Sequence, residues 1–299
     1  MYIKERVLMK LHREAKRIPI FGNRIRNYLF KKRFETEKEL IEGRDPSDSN
    51  HTSIIHLTLN RSASQWVKSV LKRCVKEENM LHVQWNEMAF CSDIPYLDHL
   101  EEVKKYGQIF KPKGYLYSAY GSYPKGIPSL ESYKVILVVR DPRDILVSKY
   151  YSKKESHDSP PISGKKREKF MEERDFASKV SIDKFVLEKC NRIRSQYDEY
   201  IECLLEEYPN VYVTKYENMA NDVESWLDHL LEYLELSPSQ KLRSEIIGEA
   251  LSIQSKEEDK KDHNRKGSPG DYKNKLTKST INKLNKKFGK VIKKFDFNK

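Results

Sequence analysis

One stretch of the chain, residues 134–152 with the sequence KVILVVRDPRDILVSKYYS, constrains the fold more than any other. Its first six residues form a largely apolar run rich in valine and isoleucine, which is typical of a buried parallel strand. Asp141-Pro142 then interrupts the strand and suits the N-cap and first turn of a helix. Arg140 therefore lies where a strand meets a helix N-terminus, the usual anion site of an open α/β sheet, and Ser148 offers a hydroxyl two turns further on. Local sequence leaves an equal alternative, an ordinary strand–turn–helix with a surface arginine.

The length and charge of the chain set wider limits. Its 299 residues suffice for one large α/β domain with a sizeable core. A formal net charge of +12 suits a polyanionic partner, although scattered surface lysines also serve solubility. The four cysteines have no Cys-x-x-Cys spacing, so we expect reduced thiols in a cytoplasmic protein. We find no apolar run long enough to span a bilayer and no signal-peptide pattern.

Residues 1–50 differ from the rest and are interpreted as a basic N-terminal helical extension. Apolar residues recur at helical spacing between Ile3 and Ile18, with arginines and lysines between them. Such a helix is able to lie on an anionic membrane surface, but we favour packing on the main domain or on a partner chain by about two to one. Residues 51–299 would form the main domain.

A second strand–turn–helix occurs near the start of that domain. The run SIIHLTL predicts a strand over Ser53–Leu59, and a helix is expected from Ala63 to Glu78. Between them lies a polar turn of the kind that cradles phosphate. The Walker pattern GxxxxGK[ST] is absent, which disfavours hydrolysis of nucleoside triphosphates. The turn offers one cation and two hydroxyls at Arg61, Ser62 and Ser64.

Later segments give weaker signals. Residues 79–87 predict a short strand that would place Glu87 at its carboxyl end. A strand over residues 211–214 ends at Lys215-Tyr216-Glu217. The tyrosines of residues 115–123, with Trp85 and Phe90, suggest a partly aromatic acceptor pocket. Residues 254–276 are so polar that composition alone favours a disordered linker.

Taken in order, four motifs resemble those of the sulfotransferase family that uses 3′-phosphoadenosine 5′-phosphosulfate (PAPS). LNRSASQW at residues 59–66 corresponds to the family's YPKSGTTW loop, and VVRDPRDILVSKYY at 138–151 corresponds to VVRNPRDVLVSYY. YENM at 216–219 corresponds to YEDM, and RKGSPGDYKN at 265–274 corresponds to RKGxxGDWKN. The resemblance runs from about Ser53 onward and implies a P-loop-like three-layer α/β fold with a central parallel sheet flanked by helices.

The resemblance also implies a role for each matching residue. Trp66 would stack on the adenine, where local sequence leaves a core position as the alternative, and Tyr216 would hydrogen-bond the base. The segment 254–276 would close over the nucleotide instead of being disordered. The 3′-phosphate would be held by Arg140, Ser148, Arg265, Lys266 and Gly267. The 5′-phosphosulfate would be wrapped by Arg61, Ser62, Ala63, Ser64 and Gln65.

The chain departs from the family pattern around the reacting group. Arg61 replaces the loop lysine and keeps its charge, but arginine cannot donate a proton. Ala63 and Gln65 replace a glycine and a threonine. The KTH-like triplet, whose histidine is the family's general base, has no histidine here. Because other branches use a glutamate soon after the loop helix, Glu87 is the candidate base, with an ordinary surface glutamate as an equal alternative.

These observations predict an enzyme that transfers a sulfuryl group from PAPS to a hydroxyl or amine of a small molecule, with PAP as product. Arg61 and Glu87 would be the catalytic residues. We expect no metal, no nucleic acid and no stable membrane insertion, and a homodimer is compatible with the sequence. Two alternatives stay open: a nucleotide-binding protein without turnover, and a basic protein that binds nucleic acid or a membrane surface.

Overall fold

The structure is a computed structural model, and it describes residues 28, 30–92, 94–97, 103–156, 165–255 and 268–297. The chain divides into two compact units, Met1–Pro46 and Ser47–Lys299. The first unit contains helix α1 (Glu35–Ile41). The apolar residues that predict an N-terminal helix, between residues 3 and 18, lie outside the described residues. The division of the chain at residue 50 therefore stays a prediction.

The second unit is built on five parallel strands in the order β2–β3–β1–β4–β5. Ile54 of the central strand pairs with Leu116 on one side and with Lys134 on the other. Because the strands are parallel, their carboxyl ends meet at one edge, and the loops after neighbouring strands β1 and β4 lie side by side there. The strands are β1 (Ile54–Thr58), β2 (Leu81–Val83), β3 (Tyr115–Tyr120), β4 (Lys134–Val139) and β5 (Tyr212–Lys215).

Helices connect these strands and flank the sheet, which confirms the α/β fold with a central parallel sheet. Short 3₁₀ helices span Val103–Ile109 and Leu130–Ser132. π-Helical turns over Ser152–Ser156 and Tyr200–Leu205 extend the α-helices that end at Tyr151 and Glu199. The α-helices of this unit are α2 (Ser64–Glu77), α3 (Trp85–Phe90), α4 (Pro142–Tyr151), α5 (Lys165–Lys179), α6 (Ile182–Glu199), α7 (Tyr216–Asn221), α8 (Val223–Leu234), α9 (Gln240–Ser255), α10 (Tyr272–Lys275), α11 (Lys278–Lys287) and α12 (Gly289–Phe295).

A continuous apolar core holds α2 and α8 against one face of the sheet. Burial of each large aliphatic side chain in such a core stabilises the fold by about 1.5–3 kcal/mol. This packing fixes the direction of α2, so its N-terminus stays at the carboxyl edge of the strands. The core includes Ile54, Leu116, Ile136 and Val138 from the strands, Val67, Val70 and Leu71 from α2, and Trp226, Leu227 and Leu230 from α8.

The second strand is shorter than predicted. Residues 79–87 were expected to be extended, but β2 ends at Val83 and helix α3 begins at Trp85. The indole of Trp85 is buried, and its Nε1 donates to the carbonyl oxygen of Pro95 at 2.9 Å. Glu87 therefore lies in the first turn of a helix just beyond the strand, still at the carboxyl edge of the sheet.

The aromatic residues near β3 belong to the core. Tyr115, Tyr117 and Tyr120 are at most 1% exposed, and the Tyr117 hydroxyl donates to the carbonyl oxygen of Ile109 at 2.8 Å. Side chains that are buried to this extent cannot contact an acceptor. The predicted aromatic acceptor pocket is therefore wrong for these rings, and only Phe90 among the residues named for it is markedly exposed.

Candidate functional site

The loop between β1 and α2 is held in an unusual backbone conformation. Arg61 and Ala63 have φ angles of 81° and 58°, the left-handed region that favours glycine. The carbonyl oxygen of Ala63 accepts from the amides of Trp66 and Val67 at 2.9 and 3.0 Å, which starts the helix. Ala63, which corresponds to the glycine of the YPKSGTTW loop, thus has a backbone conformation that glycine favours.

This strain predicts a measurable effect of Ala63→Gly. Holding an L-residue in the left-handed region costs roughly 1–2 kcal/mol, which glycine avoids, but the greater freedom of glycine in the unfolded chain offsets roughly 0.4–1 kcal/mol of that gain. We expect the free energy of unfolding to rise by about 0.5–1 kcal/mol, measured by urea denaturation. The control is Ala177→Gly inside α5, which should lower it by about 1 kcal/mol. Destabilisation by Ala63→Gly would contradict the assigned conformation.

The loop and the start of α2 offer hydrogen-bond donors to an anion. Ser62 is fully buried, and its Oγ makes no hydrogen bond within the part of the chain that the structure describes. A buried hydroxyl without a partner costs about 1–3 kcal/mol, so a ligand oxygen would satisfy it. The N-cap residue of α2, Ala63, provides no side-chain cap, and no acidic residue lies in the first turn of this helix. These groups together fit a phosphate or sulfate group.

Arg61 connects this loop with the strand–turn–helix at residues 134–151. Its Nε donates to Oγ of Ser148 at 3.1 Å, and its carbonyl oxygen accepts from Nη1 of Arg140 at 2.9 Å. Ser148 lies on α4, and Arg140 directly follows β4. Three residues that the sequence assigns to the nucleotide, from two distant segments, therefore lie in contact.

Arg140 is nearly buried and precisely held. Its guanidinium lies over the ring of Tyr216, 4.0 Å from the centroid. Its amide donates to the Tyr197 hydroxyl at 3.2 Å, and that hydroxyl donates in turn to the Arg140 carbonyl oxygen. Burial raises the pKa of Tyr216 and of Tyr197, so both phenols stay protonated near neutral pH. Sequence reasoning missed Tyr197, which is one tyrosine among many on a long amphipathic helix.

The turn after Arg140 has the predicted cap. Oδ1 of Asp141 accepts from the amide of Arg143 at 2.9 Å, and the Asp141 amide donates to Oε1 of Glu217 at 2.9 Å. Burial raises the pKa of the Glu217 carboxyl, while the hydrogen bond from Asp141 opposes that rise. The YENM segment thus braces the turn through Glu217 as well as through Tyr216.

Trp66 lies between the site and the core. Its ring is 5.5 Å from the ring of Trp226, which in turn donates from Nε1 to Oγ1 of Thr214 at 2.9 Å. Nε1 of Trp66 is buried and makes no hydrogen bond in the described residues. Both readings of this residue, core packing and contact with a base, are compatible with a ring that is only partly buried.

Glu87 contacts Lys68 on the second turn of α2, in an ion pair between Oε1 and Nζ. Lys68 lies one turn beyond Ser64, so the Glu87 carboxylate is beside the start of α2.

Two buried histidines, His56 and His82, lie in the same region. Burial, and to a smaller extent the positive charge of Lys68, lowers the pKa of each imidazole to about 3. Both histidines are therefore neutral near pH 7, and sequence reasoning did not single out His56.

Part of the predicted site belongs to a segment that the structure does not describe. Arg265, Lys266 and Gly267 lie outside the described residues. Among the described residues, no three His, Cys, Asp or Glu side chains form a cluster suited to a metal ion. No helix in those same ranges has the length and apolar character that crossing a membrane requires.

Comparisons with known proteins show which fold and which family the chain shares. The chain is similar over 85% of its length to 90% of a mouse sulfotransferase, SULT7A1, crystallised with PAP, at 17% identity and a TM-score of 0.54. It is also similar to a retinol dehydratase crystallised with retinol and PAP, at 12% identity and a TM-score of 0.44, over 87% of this chain and 86% of that one. No curated protein sequence matches. The family model for the sulfotransferase domain matches residues 51–296. The chain therefore belongs to the sulfotransferase domain family.

Proposed function

We propose that this sulfotransferase uses PAPS and transfers its sulfuryl group to a hydroxyl of a small-molecule acceptor, with an amine as the less favoured alternative. The observation that carries this proposal is the contact of Arg61 with both Ser148 and Arg140 at the carboxyl edge of the sheet. Two cationic side chains, a serine hydroxyl and the N-terminus of α2 converge there, which suits a nucleotide with two phosphate groups.

The two ends of the nucleotide would meet different residues. Arg140 and Ser148 would hold the 3′-phosphate, together with Arg265, Lys266 and Gly267. The adenine would lie against Trp66 and near Tyr216. The 5′-phosphosulfate would be wrapped by Arg61, Ser62, Ala63, Ser64 and Gln65, where the buried Ser62 hydroxyl supplies a donor.

The transfer would be an in-line displacement at sulfur. As the acceptor oxygen forms its bond to sulfur, the bond between sulfur and the 5′-phosphate oxygen breaks, and PAP leaves. Arg61 would stabilise the negative charge that grows on the leaving phosphate. Glu87 would take the proton from the acceptor hydroxyl, since it lies beside the first turns of α2. No metal is needed for these roles.

Calorimetric titration with PAP and with 5′-AMP tests the proposal. PAP carries the 3′-phosphate and 5′-AMP does not, so a 3′-phosphate site predicts tight binding of PAP and weak binding of 5′-AMP. Equal or absent binding would overturn the use of PAPS. Saturable PAP binding without transfer to any acceptor would instead support a nucleotide-binding protein without turnover.

The proposed role of Arg61 predicts a larger effect on turnover than on binding. In Arg61→Ala, we expect kcat to fall about 100-fold, because one donor to the leaving group is lost. PAP affinity should fall by less than about 10-fold, since the contact with Ser148 is a single hydrogen bond. Arg61→Lys, which restores the charge, should recover part of kcat. Unchanged turnover in Arg61→Ala would remove the residue from the mechanism.

A further inference from the structure

Arg140 lies one residue beyond the last pairs that its strand forms with its neighbours. In β4, Val138 pairs with Thr58 of β1, and the final pair joins Val139 to Lys215 of β5. Arg140 is nevertheless 4% exposed, so water does not readily satisfy its backbone amide and carbonyl groups. Because buried backbone groups are costly to leave unbonded, Arg140 needs partners from another part of the chain.

The hydroxyl of Tyr197, on α6, supplies both partners. It accepts from the Arg140 amide at 3.2 Å and donates to the Arg140 carbonyl oxygen, across 57 positions of sequence. The Tyr197 side chain is fully buried, and its ring lies 5.6 Å from the ring of Phe295. Burial raises the pKa of Tyr197, so the hydroxyl keeps the proton that it donates. One hydroxyl therefore serves both backbone groups of Arg140.

The next residue of the turn is held by a different segment. The Asp141 amide donates to Oε1 of Glu217, in the first turn of α7, at 2.9 Å. The side chain of Arg140 is held separately, by the Tyr216 ring and by the carbonyl oxygen of Arg61. The backbone contacts thus fix the position of the turn, and the side-chain contacts fix the direction of the guanidinium.

We infer that Tyr197 is a positioning residue for recognition of the 3′-phosphate, and that Glu217 supports it at the next residue of the turn. These side chains occupy the amides of residues 140 and 141, so a phosphate at this turn is bound through the Arg140 guanidinium and not through those amides. A binding group of this kind must be held within about 0.5 Å of its productive position. The inference rests on the proposed use of PAPS.

The test is Tyr197→Phe, which removes the hydroxyl and keeps the ring. The backbone of Arg140 then loses both hydrogen bonds, and the turn relaxes. We expect PAP affinity to fall roughly 5- to 30-fold, less than removal of the guanidinium would cause. Affinity for adenosine 5′-phosphosulfate, which has no 3′-phosphate, should change by less than about 3-fold. The readout is the ratio of the two dissociation constants, measured by calorimetry.

Tyr233→Phe is the matched control. The Tyr233 hydroxyl makes the same pair of contacts near the other end of β4, where it accepts from the Val135 amide at 3.1 Å and lies 3.0 Å from the Val135 carbonyl oxygen. This variant should lower thermal stability and leave the ratio unchanged, because Val135 is at the amino end of the strand. A ratio that shifts equally in both variants would overturn the inference.

A second control lies beside Tyr197 on α6. Nε2 of Gln196 donates to the carbonyl oxygen of Gly121 at 3.2 Å and to Oγ of Ser122 at 2.9 Å, in the loop after β3. Gln196→Leu should leave the ratio unchanged, since these contacts do not reach Arg140. A shift as large as that of Tyr197→Phe would assign the effect to α6 as a whole and would overturn the inference.

The outcomes separate the inference from the function on which it rests. A wild-type protein that does not prefer PAP to 5′-AMP overturns the use of PAPS. A wild-type protein that prefers PAP, with an unchanged ratio in Tyr197→Phe, overturns the inference. Equal losses for both nucleotides would make Tyr197 a general structural residue and would also overturn it. If Tyr197→Phe fails to fold, Glu217→Met removes the acceptor of the Asp141 amide at a similar side-chain length, and the same outcomes apply to it.

Discussion

Arg140→Ala is expected to lower the affinity for PAP by about 100- to 1000-fold. The Arg140 guanidinium is nearly buried over the Tyr216 ring, and in the proposed site it would donate to the 3′-phosphate in a low-dielectric environment. Each hydrogen bond to a charged group contributes about 1.5–3 kcal/mol, and a phosphate accepts two from one arginine. Binding of adenosine 5′-phosphosulfate should fall much less, because it has no 3′-phosphate. Calorimetry with both nucleotides gives the two losses.

Two further variants separate charge from geometry. Arg140→Lys keeps the charge without the planar fork, so its loss should lie between those of the wild type and Arg140→Ala. Arg73→Ala removes a positive charge elsewhere on the domain, since Arg73 binds Glu249 through two hydrogen bonds of 2.8 and 2.9 Å. It should leave the PAP affinity unchanged. Equal losses of PAP and adenosine 5′-phosphosulfate in Arg140→Ala would place this arginine away from the 3′-phosphate.

Local sequence patterns predicted the elements that carry these residues. The strand over residues 134–139, the cap at Asp141 and the helix from Pro142 agree with β4 and α4. A run of β-branched residues favours a strand, and an Asp-Pro pair favours the start of a helix, through neighbouring residues alone. Both can therefore be predicted without knowledge of the tertiary structure. β1 and α2 agree within one residue of their predicted ends.

Contacts between distant segments could not be predicted in the same way. Asp144 looks like an ordinary acidic residue near a helix N-terminus until its partners at Gly270 and Tyr272 are known. Tyr197 likewise resembles any other aromatic residue of α6 until its hydrogen bonds with the Arg140 backbone are known. The tyrosines of β3 were predicted to line an acceptor pocket, but they are packed in the core. A pattern of aromatic residues does not distinguish a packed core from a pocket.

The resemblance assigned Arg61 and Ser148 to one nucleotide site, but it did not predict that their side chains contact each other. No spacing rule relates residues 87 positions apart, and the contact depends on β1 and β4 being neighbours in the sheet. The sheet order follows from long-range packing, which periodicity does not encode. The motifs suggested a shared site, and the order of the strands explains why the two residues lie in contact.

Glu87→Gln is expected to reduce turnover by about 100- to 10,000-fold, the usual contribution of a general base. Glutamine keeps the size of the side chain but cannot take the acceptor's proton. PAP affinity should be unchanged, because Glu87 lies beside α2 and is not part of the proposed nucleotide contacts. The measurement is single-turnover transfer from PAPS, combined with PAP calorimetry on the same preparation. An active Glu87→Gln would retire the assignment.

The ion pair between Glu87 and Lys68 makes a companion variant informative. Lys68→Met removes one cation that contacts the carboxylate, so Glu87 is held less firmly while it keeps the ability to accept a proton. If Glu87 is the base, Lys68→Met should lower kcat, and Lys68→Arg should restore part of it, because arginine keeps the charge and reaches at least as far. Glu249→Gln serves as the control for breaking an ion pair elsewhere on α2, since its partner is Arg73. If the Glu249 control lowers kcat as much as Lys68→Met does, the effect belongs to the packing of α2, and the role of Glu87 as base then depends on Glu87→Gln alone.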